Sequence, residues 1–300
     1  MKIIKLFILA AAGLAALAAC NREGITPADD ARAITIEAAI GEMTKVTTTG
    51  NTAAFDNGDK IALYAWTGDK TAVPATKVVN GVENTYDGSK WTPATQMLWA
   101  DMVTEHYFLG IYPAKAVTDF KADAYTLNPA DYEGSDLLIA TNLTGLKAQD
   151  NPVTLGFDHA MAKLQVSLNF RNQWDGTPAV NSVTATAAKT GTVDYLSKTV
   201  TAGAASSVDI PALATSADGY ALSFSGLMIP QGGFRTLTIN VAGSNYVFTH
   251  SADIALVAGK ITVVNLVLGR EGIELASAIT ISDWTGQGEA INGEIFKPEA

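Results

Sequence analysis

Sulfur chemistry is nearly missing from this chain: of 300 residues one, Cys20, is a cysteine. That excludes an internal disulfide framework and a cysteine-ligated metal, so stability has to come from packed cores. Charge is also scarce. Charged residues make up 17%, with 20 Lys and Arg against 30 Asp and Glu, and the formal net charge is −10. A chain this acidic carries no basic patch for nucleic acid, so nucleic acid is not an expected partner. Histidine is limited to His106, His159 and His250. None has a second His or Cys at metal-ligand spacing, and no His-Glu-x-x-His occurs. There is no Gly-x-Ser-x-Gly elbow, no Walker-type phosphate loop and no Gly-x-Gly-x-x-Gly after a strand. No metal or cofactor is implied and no catalytic residue is nominated, so the sequence predicts a protein that is not an enzyme. Long amphipathic helices are lacking too; a short helical turn is expected around Asn128–Gly134.

The one cysteine stands where it has a clear use. Lys2 and Lys5 precede an apolar run from Leu6 to Leu17, which is shorter than the ~20 residues a membrane-spanning helix needs. A positive start, a short apolar stretch and small residues before a cut describe a secretory signal. The cut region is Leu17-Ala18-Ala19-Cys20, a lipobox in which the Cys20 thiol takes the diacylglycerol. Residues 1–19 are therefore read as a signal peptide and Cys20 as the lipidation site. More than one acyl chain there holds a protein firmly in a bilayer, since each buried methylene contributes about 0.8 kcal/mol. Residues 20–32 are polar, with Pro27, Asp29 and Asp30, and read as a tether.

From Ala33 onward the apolar period is two. Val153, Leu155 and Phe157 alternate with small or polar residues, as do Leu164, Val166, Leu168 and Phe170. The same holds for Leu237, Ile239 and Val241, and for Ile279 and Ile281. These are half-buried strands. The Ala-rich run Thr184–Lys189 also reads as strand because of its β-branched neighbours. Turn dipeptides recur at Asn57-Gly58, Asn80-Gly81, Asp87-Gly88, Asp175-Gly176, Asp218-Gly219, Gly243-Ser244 and Asn292-Gly293, with Gln231-Gly232-Gly233 as a further turn signal. Many short strands with such turns predict an all-β sandwich protein. Asp56-Asn57-Gly58-Asp59 has calcium-loop residue types but no later bidentate Glu, and reads as a tight turn. The segment 157–163 separates an aromatic-rich first half from a Thr/Val/Ala-rich second half. The expected domains are accordingly 33–160 and 161–300. Trp66, Trp91, Trp99, Tyr107, Phe108 and Tyr112 fall in the first half, either as core or as a platform for glycans.

Several local patterns together resemble one family. They are Phe55-x-x-Gly58-Asp59-x-Ile61-x-Leu63-Tyr64; Trp91, then Trp99, then Tyr107-Phe108-x-x-Ile111-Tyr112-Pro113; and Asp136-Leu137-Leu138-Ile139-Ala140. Next come Leu155-x-Phe157-x-His159-Ala160-Met161-Ala162-Lys163-Leu164 and finally Ile281-Ser282-Asp283-Trp284. In this order they resemble the fimbrillins of Bacteroidota, the subunits of surface fimbriae. The resemblance implies two tandem transthyretin-like β-sandwich domains. It also implies an assembly route: export to the outer membrane as a lipoprotein, proteolysis after a basic residue, and head-to-tail polymerisation with other fimbrial subunits by strand exchange.

Two segments have the pattern that route needs. Residues 33–40, with Ile34, Ile36 and Ala38 on one face, are the candidate removable first strand. Residues 279–295, with Ile279, Ile281, Ile291 and Ile295, are the candidate donor strand. The candidate cuts are Arg32-Ala33 and Lys45-Val46. Only the second would release the first strand, although lysine departs from the arginine common at that place in the family. The other reading of both segments is as ordinary strands of a closed monomer. The leading function is a stalk or tip subunit of a cell-surface fimbria. The alternative is a surface lipoprotein that binds a glycan or host protein as a monomer, through the Trp-rich half.

Overall fold

The computed structural model describes residues 32–41 and 54–284. Cys20, Lys45, Val46, Ile291, Ile295 and the Asn292-Gly293 turn lie outside the described residues. Within them the chain is all-β. The strands up to residue 160 are β1 (Ile36–Ile40), β2 (Lys60–Thr67), β3 (Val79–Tyr86), β4 (Trp91–Pro93), β5 (His106–Tyr112), β6 (Asp123–Thr126), β7 (Leu138–Leu146) and β8 (Val153–His159). Beyond it come β9 (Ala162–Phe170), β10 (Val180–Ala188), β11 (Thr190–Asp194), β12 (Thr199–Ala202), β13 (Ala205–Asp209) and β14 (Leu222–Met228). The last are β15 (Gln231–Val241), β16 (Ser244–Leu256), β17 (Lys260–Gly269), β18 (Gly272–Leu275) and β19 (Thr280–Asp283). Helix is limited to α1 (Tyr132–Ser135), whose cap Asp131 accepts from Gly134 N–H at 2.9 Å, and a 3-10 turn at Ala148–Asp150.

A seven-stranded sheet runs β1-β8-β7-β5-β2-β3-β4. Its pairings are antiparallel except at the end, where β1 joins β8 in parallel. A five-stranded sheet runs β14-β9-β17-β18, with β19 also on β17, and a four-stranded sheet runs β13-β10-β15-β16. The fourth sheet, three-stranded β12-β11-β6, joins a strand from before residue 160 to two from after it. All strands of the seven-stranded sheet thus end by His159, while β6 pairs with a strand from beyond it.

Strand β2 shows why the large sheet is stable. Its sequence, KIALYAWT, is apolar without a break from Ile61 to Trp66. Such a run is what a strand covered on both faces requires. Ile61, Leu63 and Ala65 pack into one core with Phe108, Phe157, Trp91 and Trp99. Ala62, Tyr64 and Trp66 pack into the other with Leu109, Ile111 and Phe120. This second core continues through β9, β15 and β17 as far as Trp284, so it spans both halves of the chain. The expected alternations of β8 and β15 appear as buried faces, and in β9 Leu164, Val166 and Leu168 are buried, but Ser167 and Asn169 are buried too and Phe170 only partly.

Two glycine signals read as turns are not turns. Asn80-Gly81 lies inside β3, where the ladder with β2 shifts register at Leu63/Tyr64. Gln231-Gly232-Gly233 lies inside β15, where pairing with β16 shifts between Gln231 and Phe234. Both are β-bulges, which use glycine for the same positive φ that a turn needs. Gly81 has φ 67°, and a Cβ there would stand 2.9 Å from Tyr64 Oη. Asp56–Asp59 does form a tight turn: Asp59 N–H donates to Asp56 C=O at 3.0 Å, and Asp56 N–H to Asp59 Oδ2 at 2.7 Å.

Candidate assembly site

The first strand is seated by main-chain bonds on two sides. Arg32 is exposed, and its carbonyl accepts from Trp99 N–H at 2.9 Å. Ala33 is buried and bridges Leu98. Ile34 N–H donates to Met97 C=O at 2.9 Å. On the opposite side Thr35 C=O accepts from Val153 N–H at 2.8 Å, and residues 36–40 then run in register with residues 153–157. Ile34 and Ile36 are buried in the core that holds Trp91, Met97, Trp99, Val153, Leu155 and Phe157. Ala38 and Ile40, further along, are only partly buried against it. A cavity of about 450 Å³ opens between Ile34 and Ile36 on one side and Trp91 and Met97 on the other. Asn84 borders it; this side chain is fully buried, and its Oδ1 has no hydrogen-bond partner.

The other candidate strand is paired differently. β19 lies antiparallel on Lys260–Val263 of β17. Ile279 packs against the larger core, but Ile281 is 46% exposed and every residue of β19 is open to solvent. The expected burial of Ile281 is therefore corrected. β19 lies at the outer edge of its sheet, and among the described residues no layer faces that side chain.

The chain re-enters the core at Trp284, 8% exposed, and here three of the sequence patterns meet. His159 stacks on the indole, with ring centroids 3.8 Å apart. Its Nδ1–H donates to Asp136 Oδ1 at 2.9 Å. Lys163 Nζ lies 5.5 Å from the ring centres of both Trp284 and Tyr132. Burial lowers the pKa of this lysine, and the Asp136 charge offsets part of that shift. His159 Nε2 and Tyr132 Oη are buried without a hydrogen-bond partner. Burial, then the Asp136 charge, pushes the Tyr132 phenol well above its ordinary range.

The histidines are structural hydrogen-bonders. His106, fully buried, donates from Nδ1 to Thr104 C=O at 2.9 Å and accepts at Nε2 from Ala100 N–H at 3.0 Å. Desolvation lowers its pKa. His250 bonds Ala252 C=O through Nδ1 at 2.9 Å. The aromatic platform is corrected as well. Trp66, Trp91, Trp99, Phe108 and Tyr112 are all buried, in edge-on contacts such as Phe55–Trp91 at 4.9 Å and Trp99–Phe108 at 5.4 Å. Tyr107 packs partly buried against Trp66. Stacking on the core took precedence over display to solvent.

Sequence reading missed Asn84 and Asn151. Asn151 had a usable signal: an Asn-Pro pair directly before an alternating apolar run marks the point where a strand begins.

The fold and these contacts define an all-β protein of several packed sheets. The particular family follows from comparison: a family model described as fimbrillin-like matches residues 44–284. The chain belongs to the fimbrillin-like family, and with it to the structural, non-enzymatic proteins of cell-surface fimbriae. Solved structures share the fold. A proposed cell adhesion protein from Bacteroides ovatus is 19% identical with a TM-score of 0.62, covering 86% of this chain and 99% of its own. One from Bacteroides uniformis is also 19% identical at 0.62, covering 85% and 100%. A fimbrial protein from Bacteroides vulgatus is 12% identical at 0.50, covering 85% and 100%. Comparison with curated protein sequences finds no match.

Proposed function

We propose that the chain is a stalk or tip subunit of a fimbria, exported as an outer-membrane lipoprotein acylated at Cys20. It is cut after Lys45 and joined to other subunits by strand exchange. The observation that carries this reading is the position of β1. It is a five-residue strand at the end of the seven-stranded sheet, and its one strand neighbour among the described residues, β8, runs parallel to it. The chain leaves it at Gly41, four residues before Lys45, and the family match begins at residue 44.

Loss of residues 33–40 would uncover the apolar face of Val153, Leu155 and Phe157 and leave the ladder groups of β8 unpaired. Burial of Ile34 and Ile36 contributes roughly 1.5–3 kcal/mol each. A strand entering from another subunit would restore both the burial and the bonds by β-augmentation. Because donor and groove are different surfaces, the contact is head-to-tail and builds a filament. Residues 279–295 are the donor. Within the monomer the four residues of β19 are exposed, so the strand itself buries little, and the buried Trp284 that follows it is the anchor its release has to free. In this reading 33–160 and 161–300 work as two sandwich units, one receiving and one donating. Host proteins or glycans would be met by loops of the assembled fibre rather than by the buried Trp91 and Trp99.

The test is limited trypsin treatment of the lipid-free chain and of its Lys45→Ala variant, followed by electrophoresis and mass spectrometry. The parent is expected to lose its first strand and form a ladder of oligomers, while Lys45→Ala stays intact there and monomeric. A chain cut at Lys45 that keeps residues 33–40 bound, or remains monomeric after losing them, defeats the proposal.

A further inference from the structure

Asn151 holds a main chain 116 residues away in sequence. Its Oδ1 accepts from Thr35 N–H at 2.9 Å, and its Nδ2 donates to Ala33 C=O at 3.2 Å. A carboxamide offers the same donor and acceptor pair as a peptide unit. The backbone N–H of Asn151 is itself turned back to Ala148 C=O at 3.4 Å. β8 begins only at Val153, whose N–H takes Thr35 C=O at 2.8 Å. The Asn151 side chain therefore supplies the ladder step that the backbone of β8 cannot supply. Across the segment, Trp99 N–H and Met97 C=O take Arg32 C=O and Ile34 N–H.

These bonds, from both flanks, go to backbone atoms of residues 32–35. Selectivity for side chains comes separately, from the apolar seats of Ile34 and Ile36 and the cavity beside them. Register matters acutely here. A slip of one residue would turn Thr35 and Glu37 toward the core and Ile34 and Ile36 outward.

We propose that Asn151, with the backbone of Met97–Trp99, forms a main-chain receptor for an extended peptide, and that the Asn151 amide sets the register of its occupant. The ligand class is a β-strand with apolar side chains at the places of Ile34 and Ile36 and non-proline residues at the places of Ile34 and Thr35, whose N–H groups are both bonded. The resident occupant is residues 32–40. That a second subunit's strand is later held in the same way rests on the assembly reading above.

The test uses the full-length chain. Amide hydrogen exchange is followed in the parent, Asn151→Ala and Asn151→Asp. Loss of two hydrogen bonds is expected to speed exchange across 33–40 about tenfold in Asn151→Ala, with β2 and β5 unchanged. Asn151→Asp keeps the acceptor for Thr35 but sets a carboxylate against Ala33 C=O, and is expected to fall between. Register is read by disulfide trapping in a Cys20→Ala background. Glu37→Cys with Thr154→Cys, which are paired in the ladder, is expected to cross-link efficiently. Asn151→Ala is expected to shift cross-linking toward a slipped pair, Ala39→Cys with Thr154→Cys. Unchanged exchange at 33–40 overturns the proposal, as does faster exchange spread equally over β2 and β5, or retained register in Asn151→Ala. None of these measurements needs cleavage or polymerisation, so their failure is distinct from a failure of the assembly reading. Extension to an incoming strand is checked by trypsin-induced ladders. Ladders equal in the parent and Asn151→Ala would overturn that extension.

Discussion

The imidazole of His159 lies flat on the indole of Trp284, with ring centroids 3.8 Å apart and planes 16° from parallel. The two residues come from the boundary segment 157–163 and from the last described position. Their stack pins the end of β19, whose four residues are otherwise exposed. Asp136 fixes the ring through Nδ1, and Lys163 lies near the outer aromatic faces.

Trp284→Ala is expected to cost about 3–5 kcal/mol, the usual loss for a buried tryptophan. The amides of Thr280–Asp283 should lose exchange protection before any other strand. Denaturant midpoints and hydrogen exchange check the two parts. A destabilisation that leaves β19 protected would show that the stack is not what holds the strand.

His106 makes stability fall on acidification. Its folded pKa is below the ordinary 6.5 because burial opposes the charged ring. Between those two values the unfolded chain binds a proton that the folded chain refuses. Stability therefore rises with pH through that window and is lost as pH drops below about 6.5. Thermal melts at stepped pH should show a steeper decline below that point in the parent than in His106→Gln, which has no ionisable ring. Equal slopes in the two proteins would remove His106 as the cause.

Gly81→Ala puts a Cβ at φ 67° and within 2.9 Å of Tyr64 Oη. Backbone strain and displacement of a buried tyrosine are expected to cost about 1–3 kcal/mol. The Tyr64 bond from Val117 N–H, 2.7 Å long, should weaken with it. Urea unfolding measures the loss, and a neutral result would mean that the bulge can be rebuilt without glycine.

Ile281→Glu and Ile36→Ala should separate folding from assembly. Ile281 is 46% exposed, so the glutamate, which adds no trypsin site, is expected to change stability by no more than about 0.5 kcal/mol. Ile36 is buried, and truncation to alanine is expected to cost about 2–5 kcal/mol. After trypsin, Ile281→Glu should fail to form ladders although it folds, while Ile36→Ala should release its first strand sooner. Ladders from Ile281→Glu equal to those of the parent would remove that residue from the donor face.

Local chemistry was readable and long-range pairing was not. The period of two in β8, β9 and β15, the tight turn at Asp56–Asp59 and the unbroken apolar run of β2 each follow from residues within a few positions of one another. The bulges at Gly81 and at Gly232-Gly233 look like turns because both use glycine for positive φ; only the partner strand decides between them. The parallel seat of β1 and the β6–β11 pairing depend on contacts that no single window of sequence contains. The ordered motifs pointed to His159, Lys163 and Trp284, but their convergence on one ring stack is a property of the fold. Ile281 misled because its alternation with polar neighbours is genuine, while the layer that would bury it is missing from the described residues.

The bonding of residues 32–41 gives the first strand unequal grips at its two ends. From 32 to 35 it is gripped from both flanks, and from 36 to 40 from one. Tension applied from the Cys20 side loads the double grip first and along the strand, where several bonds must fail together. A free end made beyond Gly41 meets the single row first, and those bonds can open one at a time. The same strand thus resists a pull toward the membrane and yields to peeling from its downstream end, so direction of force alone distinguishes holding from release.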